Sequence, residues 1–295
     1  MMWSRIVLII ATCLLFVATS STVSKIIGLA DYLKEAASIE FDIIAFCLLA
    51  LGIIGSFITL LFSKKLAIRN YNLEIIPEDT SIPEFKGLLA EVRDLSRKAA
   101  IKNSPEVAIY DSEEVNAFAT GPTKENSMIA LSTGLLSSMN TNQIRAVIAH
   151  EIGHISSGDM VTMAILQGII CSINLVLSKL ILSSIEQRIK NNHLIVLIQS
   201  LILSIMFLFG SIIVFWFSRR REYRADLISA ELTSPETILD TLKFLNSITE
   251  KSRYNSSLPA KLIGYTGFIK TIPVFDTHPD ISDRIDCLRI RYKIL

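Results

Sequence analysis

Four stretches of this chain carry no charged side chain and each approaches the length a helix needs to cross a bilayer. Residues 6–24, 43–63, 160–178 and 194–218 contain no Asp, Glu, Lys or Arg, and a hydrocarbon core takes roughly 20 apolar residues as a helix. The chain as a whole is 51% hydrophobic and 19% charged, against roughly 25% charged in an ordinary soluble domain. These observations predict a mainly α membrane protein with four transmembrane helices. Gln167, Asn174 and Gln199 are the notable polar members of the runs, and such groups usually face neighbouring helices. The first run ends in "VATSS", which resembles a cleavage site, but Arg5 alone precedes it. That is thin for a secretory signal, so a retained anchor is expected.

The basic residues that flank the runs set an orientation. Lys64, Lys65 and Arg69 follow the second run, and Arg219, Arg220, Arg221 and Arg224 follow the fourth. On the other side Lys25 and Lys34 are offset by Asp31, Glu35, Glu40 and Asp42, and Arg188 and Lys190 come later. The bias places the termini, residues 64–159 and the tail from 218 in the cytoplasm. The net charge of +1 carries no polyanion-binding signature, which argues against nucleic acid as a partner. Cys13, Cys47, Cys171 and Cys287 form no CxxC pair, so neither a thiolate metal site nor a disulfide framework is suggested.

Between the second and third runs lies a segment of domain character. Phe85, Leu88, Leu89, Val92 and Leu95 give Glu84 to Ile101 a helical period. "EVAIYD", "VNAFATG" and "SMIALST" read as short strands separated by polar or Gly-Pro breaks. Asn140 or Thr141 then offers an N-cap to a further helix.

That helix contains "HEIGH". His150 and His154 stand at i and i+4, so both imidazoles project from one face about a turn apart. Glu151 lies about 100° round the helix from His150, beside a metal held there rather than on it. This is the HExxH arrangement, with two metal ligands and a general base. Ile144, Val147, Ile148, Ile152 and Ile155 form an adjoining apolar stripe, a setting a solvated charge cluster does not need. A catalytic zinc takes three protein ligands and keeps one open position. Ser157 and Met160 occupy the places where the HExxHxxGxxH pattern needs Gly and His, and His193 falls on the far face of the membrane. Glu222 follows two further spans and so returns to the side of His154, with Asp226 at i+4. Glu222 suits the third ligand, and Asp226 suits a carboxylate that fixes a ligand imidazole. The bland alternative is that Glu222 offsets its arginine neighbours.

"VNAFATG", "VIAHEIGHISSGDMVTM", "FSRRREYRAD" and "THPDISDRI", in this order among four apolar spans, resemble the HtpX-type membrane zinc endopeptidases of the M48 group. The resemblance covers nearly the whole chain. It implies a cytoplasmic α+β zincin-like metallopeptidase domain with a small β-sheet. It also implies one Zn²⁺ per chain held by His150, His154 and Glu222, with Glu151 as general base. Asp226 matches the family's supporting acid, and Asn116 matches the asparagine on a cleft strand where a peptide can add as a strand. His278 and Arg284 match C-terminal positions near the active site, with chemistry suited to a developing oxyanion. This chain has Asp280 after His-Pro where relatives often carry another proline, which puts the aim of His278 in question. Asn116 could equally shape a turn, and Arg284 could pair with Asp280 or Asp286.

The expected organisation is then residues 1–65 as spans one and two with a short external loop, 66–159 as a cytoplasmic part with the HExxH helix, 160–217 as spans three and four, and 218–295 as a cytoplasmic part with the third ligand. The expected activity is endoproteolysis of misfolded or damaged membrane proteins at the cytoplasmic face of a bacterial plasma membrane, the bilayer and unfolded polypeptides being the partners. Two other readings compete. An intramembrane metalloprotease usually takes an aspartate ligand from an Asp-Gly pair, and the chain has none. A zinc transporter or scaffold would carry ionisable residues inside its spans, and these runs have none.

Overall fold

The computed structural model describes residues 41–186, 192–255 and 279–294. The first expected span, Cys13 and His278 lie outside the described residues. The chain divides into two compact units: residues up to Thr59 with Thr162–Val214, and Leu60–Val161 with Phe215 onward. In chain order the elements are α1 (Phe41–Leu61), α2 (Ser63–Tyr71), β1 (Glu74–Ile75), α3 (Pro83–Lys98), β2 (Glu106–Tyr110), β3 (Ala117–Thr120) and β4 (Met128–Ser132). There follow α4 (Thr133–Ser138), α5 (Thr141–Ser157), α6 (Asp159–Glu186), α7 (Asn192–Leu232), α8 (Pro235–Asn255) and α9 (Ile281–Tyr292). The fold is mainly helical with one small mixed sheet, as the sequence pattern predicts.

Within the first unit, small residues mark the helix contacts. A Cβ added at Gly168 would stand 2.8 Å from the Gly52 carbonyl oxygen, and one at Gly210 would stand 2.4 Å from the Ile170 side chain. Ser172 donates from Oγ to the Gly168 carbonyl at 2.8 Å. Large apolar side chains such as Leu51, Phe57, Leu197, Leu201, Phe207 and Phe209 are exposed instead. Leu166, Ile169 and Val176 are buried beside these small residues; small residues at the contacts with many large apolar side chains facing outward suit helices packed in lipid. Among the described residues no single helix is long and apolar enough to cross a membrane. Two pairs reach that length and composition only when joined across a bend of 52° or 56°, Leu49–Leu61 with Ser63–Tyr71 and Thr141–Ser157 with Asp159–Asn174.

The second unit is built on a sheet of order β1-β2-β4-β3. β2 and β4 run parallel in the register Val107↔Ile129, while β3 returns antiparallel to β4 with Phe118 opposite Ala130. β4 is buried along its whole length and therefore reads as a continuous apolar run. The three strands expected from sequence are present; β1, two residues long, was too short to show a pattern.

Helix α5 is packed on two sides. Ile148, Ile152 and Ile155 join Val92, Leu95, Ile129 and Leu131 in one core. Ala146 joins Ile238, Leu242, Ile285 and Leu288 of the C-terminal helices in another. The start of α5 is fixed by a capping box: Asn140 accepts from the Gln143 N–H and the Gln143 side chain accepts from the Asn140 N–H. This satisfies two of the helix's orphan donors. Its end is a left-handed cap at Gly158, φ 68°, a conformation glycine adopts without steric cost. Gln143 also donates to Asp240 of α8 at 2.9 Å, and Arg145 donates to Glu91 and to Asp94 of α3, the latter at 3.0 Å.

Candidate metal centre

Two helices of the second unit supply the candidate ligands, and a glycine lets them meet. Where α5 passes α7, a Cβ on Gly153 would lie 3.2 Å from the Ala225 Cα and 3.3 Å from its oxygen. Ser229 of α7 donates to the Ala146 carbonyl of α5 at 2.8 Å, fully buried. Glu222 stands about one turn from Ala225 on α7 and is only 2% exposed.

His150, His154 and Glu222 are brought together with ligand atoms all within 4.8 Å of one another. The two imidazoles stand edge to face, ring centres 4.8 Å apart, with their Nε2 atoms separated by 3.2 Å. The Glu222 carboxylate straddles them, Oε2 lying 3.5 Å from His150 Nε2 and Oε1 3.5 Å from His154 Nε2. Tetrahedral zinc with bonds of about 2.0–2.1 Å needs neighbouring ligands about 3.3 Å apart. These three edges meet that requirement. Arg221 and Arg284 also approach Glu222, at 3.4 and 3.9 Å, so the carboxylate faces both the imidazoles and two arginines.

The far side of each ring argues the same way. His154 Nδ1 bonds Asp159 Oδ2 at 2.9 Å. His150 Nδ1 lies 2.9 Å from Asp226 Oδ1, within ion-pair reach though out of line with the ring N–H. Protons at Nδ1 leave both Nε2 atoms as acceptors. In that tautomer both Nε2 atoms face the Glu222 carboxylate as lone-pair donors, a set that fits a divalent metal.

Each supporting carboxylate is itself held. Arg284 of α9 donates from Nε and Nη2 to the two Asp226 oxygens at 2.7 and 2.6 Å, a bidentate fork. Arg224 donates to Asp159. Burial pushes the Asp226 carboxyl up, but Arg284 and His150 outweigh it and hold it below the ordinary carboxylate value. Burial likewise opposes an imidazolium at His150, yet Asp226 and Glu222 overcome it and raise the ring to about 9. The site's field thus favours positive charge at its centre.

A cavity of about 390 Å³ opens on these groups, lined by Glu151, Arg284, Val147 and Leu242 and by Val115–Ala119. β3 pairs with β4 on one side and has no strand on its other side among the described residues. Asn116, at the head of β3, is clamped by its backbone: its N–H donates to Ser132 Oγ and its carbonyl accepts from the Ser132 N–H, both at 3.1 Å.

Of the expected residues His150, Glu151, His154, Glu222, Asp226, Asn116 and Arg284 lie together, His278 being outside the described residues, and there are two differences of detail. Arg284 contacts Asp226 rather than Asp280 or Asp286, and Asp280 is instead the N-cap of α9, accepting from the Ser282 N–H at 3.1 Å. Asp159, the partner of His154, was not expected. Its only sequence signal is its place directly after Gly158, whose left-handed turn redirects the chain at the end of α5.

Three comparisons bear on the chain. The model for peptidase family M48 matches residues 84–291. Protease HtpX of Haemophilus influenzae (strain PittEE) is 39% identical over 283 residues, covering 94% of this chain and 98% of the relative. A protease HtpX homolog of Bacillus licheniformis is 34% identical over 296 residues, covering 96% and 98%. Among solved structures, S. mikatae Ste24p aligns with a TM-score of 0.55 at 18% identity; the alignment covers 97% of this chain and 66% of the length of that one. That likeness supports the fold.

Proposed function

The chain belongs to peptidase family M48, and from that premise we propose a membrane-embedded zinc endopeptidase that cleaves misfolded or damaged membrane proteins at the cytoplasmic face of a bacterial plasma membrane. The observation that carries the zinc assignment is the ligand triangle, with edges of 3.2, 3.5 and 3.5 Å. His150, His154 and Glu222 would hold the ion; Asp226 and Asp159 would fix the two imidazoles. A His₂Glu set accepts other divalent ions too, but its ligand spacing suits tetrahedral zinc.

When bound, zinc supplies a Lewis acid that polarises the scissile carbonyl and eases deprotonation of water. The chain's residues do the rest. Glu151, 8% exposed on the cavity wall, takes a proton from the attacking water at its carboxylate and returns it to the leaving amine. The unpaired edge of β3 lets an extended peptide add as a further strand, with Asn116 at its head. Arg284, by holding Asp226, keeps the His150 ring aimed, and its position on the cavity wall suits a second duty toward the developing oxyanion. His278 is assigned to the same duty.

Four spans, with residues 66–159 and 218–295 on the cytoplasmic side, complete the reading. It is supported by the uncharged runs, the basic residues that flank them, and the exposed apolar faces of the first unit. Purified protein should contain one zinc per chain. Glu222→Ala should lose it, whereas Glu151→Gln should keep it and lose cleavage of an unfolded substrate by at least about a hundredfold. Metal retained by Glu222→Ala, or turnover retained by Glu151→Gln, would sink the assignment.

A further inference from the structure

Two exposed aromatic–cation pairs mark the points where the apolar runs give way to the second unit. Lys65 Nζ stands 5.9 Å from the centre of the Phe62 ring, just beyond residues 43–63. The Arg220 guanidinium stands 5.2 Å from the Trp216 ring, at the end of residues 194–218. Phe62 is 50% exposed, Leu66 45% and Trp216 43%. Phe62, the N-cap of α2, and Lys65, Leu66 and Arg69 on it follow one another at helical spacing, so they share one stripe.

The basic residues here divide into two sets. Those facing the body of the unit are neutralised: Lys64 by Glu106 at 2.8 Å, Arg221 near Glu222, and Arg224 on Asp159. Among the described residues Lys65, Arg69 and Arg220 have no carboxylate partner; they are exposed and stand beside exposed apolar side chains. Water disfavours such mixtures of exposed apolar and cationic side chains, and the headgroup region of a bilayer suits them. Aromatic rings settle there, and lysine and arginine lay their stems on apolar surface while their charges reach lipid phosphates. Free phosphate would match the cations but leave Phe62, Leu66 and Trp216 unexplained.

The geometry points to two docking sites for anionic phospholipid headgroups, the Phe62, Lys65, Leu66 and Arg69 stripe and the Trp216–Arg220 pair, and the second places the metal centre within the headgroup layer rather than on a stalk above it. Arg220 and Glu222 lie two residues apart on one helix, a rise of about 3 Å, and Trp216 is at most about 9 Å below Glu222 along the axis. A membrane-anchored substrate therefore needs only a few extended residues outside the bilayer to reach the site. This rests on the reading that residues 43–63 and 194–218 cross the membrane and that the site is a peptidase.

The test uses the full chain with Trp3→Phe, which leaves Trp216 as its only tryptophan. The protein is reconstituted in phosphatidylcholine–phosphatidylglycerol vesicles carrying lipids brominated near the headgroup or near the chain end. Trp216 emission should be quenched most by the shallow bromines. Absence of quenching, or quenching by deep bromines alone, overturns the Trp216–Arg220 docking site. In a second arm Lys65→Glu, Arg69→Glu and Arg220→Glu are combined. In the mixed vesicles this variant should cleave a bilayer-anchored substrate with a short linker more slowly, by about fivefold per charge. Its zinc content and its cleavage of a soluble unfolded peptide should match the parent. Equal cleavage of the anchored substrate by variant and parent also overturns the proposal. A parent chain that holds no zinc and cleaves no soluble peptide overturns the peptidase reading instead, and the bromine result still decides the Trp216–Arg220 docking site.

Discussion

At the residue scale, the centre is a chain of supports. An arginine holds a carboxylate, the carboxylate meets an imidazole, and the imidazole presents its other nitrogen to the ion. Two such chains exist, Arg284–Asp226–His150 and Arg224–Asp159–His154. Partners of this kind commonly tune metal affinity 10- to 100-fold. Asp159→Asn should therefore weaken zinc binding by about that factor in competition with a chromophoric chelator, with Glu151 untouched. Unchanged affinity would mean that Asp159 serves only to anchor Arg224. The first chain was half legible in the sequence, because Asp226 sits at i+4 from Glu222 on an evident helix. Arg284 was placed near the site by the family resemblance alone, and its contact with Asp226 was not expected, since it joins elements that no periodicity relates. The second chain was hidden entirely: the reach of Asp159 depends on the positive φ of Gly158, which a reading by period treats as a mere stop.

At the scale of elements, the crossing of α5 and α7 decides whether three ligands become one site. Gly153 and Ala225 touch backbone to backbone there. Gly153→Ala would bring its methyl within 3.2–3.3 Å of the neighbouring main chain, so a small shift and partial loss of metal are expected. Gly153→Leu should force the helices apart and abolish binding, checked as zinc content of the folded protein; full zinc occupancy in the leucine variant would show that the crossing yields. The other side of α5 is tied to α3 through Arg145 and Asp94. A hydrogen bond from Lys98, opposed by burial and reinforced by Arg145 and Arg97, lowers Asp94 from 3.8 to about 2. A folded-state value below the unfolded one contributes stability that is fully present above pH 3.8 and is lost as pH falls through about 2. Asp94→Asn should flatten the dependence of the melting temperature on pH across that window. An unchanged slope would assign the acid sensitivity elsewhere. The helix α3 was legible because it buries one regular stripe, α5 because its histidine spacing and N-cap mark it, and the strands β2, β3 and β4 because their β-branched and aromatic runs lie between polar or Gly-Pro breaks. Helix α2 hides at the end of an apolar run, and α8 and α9 carry weaker stripes in a charged tail.

At the scale of the molecule, two surfaces of opposite logic share one chain. The second unit buries most of its large apolar residues around the sheet and α5, whereas the first buries a few, Leu166 and Ile169 among them, packs on glycine and serine, and exposes many others. Composition made that division legible, since uncharged runs of bilayer length need no tertiary information. A metal that binds only the folded form stabilises it by mass action, about 4 kcal/mol at a thousandfold excess over Kd. Chelation should accordingly lower the melting temperature of the protein and restored zinc should recover it. A melt indifferent to both would argue that the centre does not hold an ion under those conditions.

The discontinuity of the second unit also sets a schedule. Ribosomes deliver the chain from its N-terminus, so His150, Glu151 and His154 emerge while Glu222 is still unmade. Two further apolar runs must be synthesised before the third ligand exists, and the guanidinium that steadies Asp226 arrives in the last helix. Until then the nascent protein carries a base and two imidazoles but no assembled hydrolytic centre. The order of the sequence therefore keeps an unfinished copy from cleaving itself or its neighbours before its last helix is made.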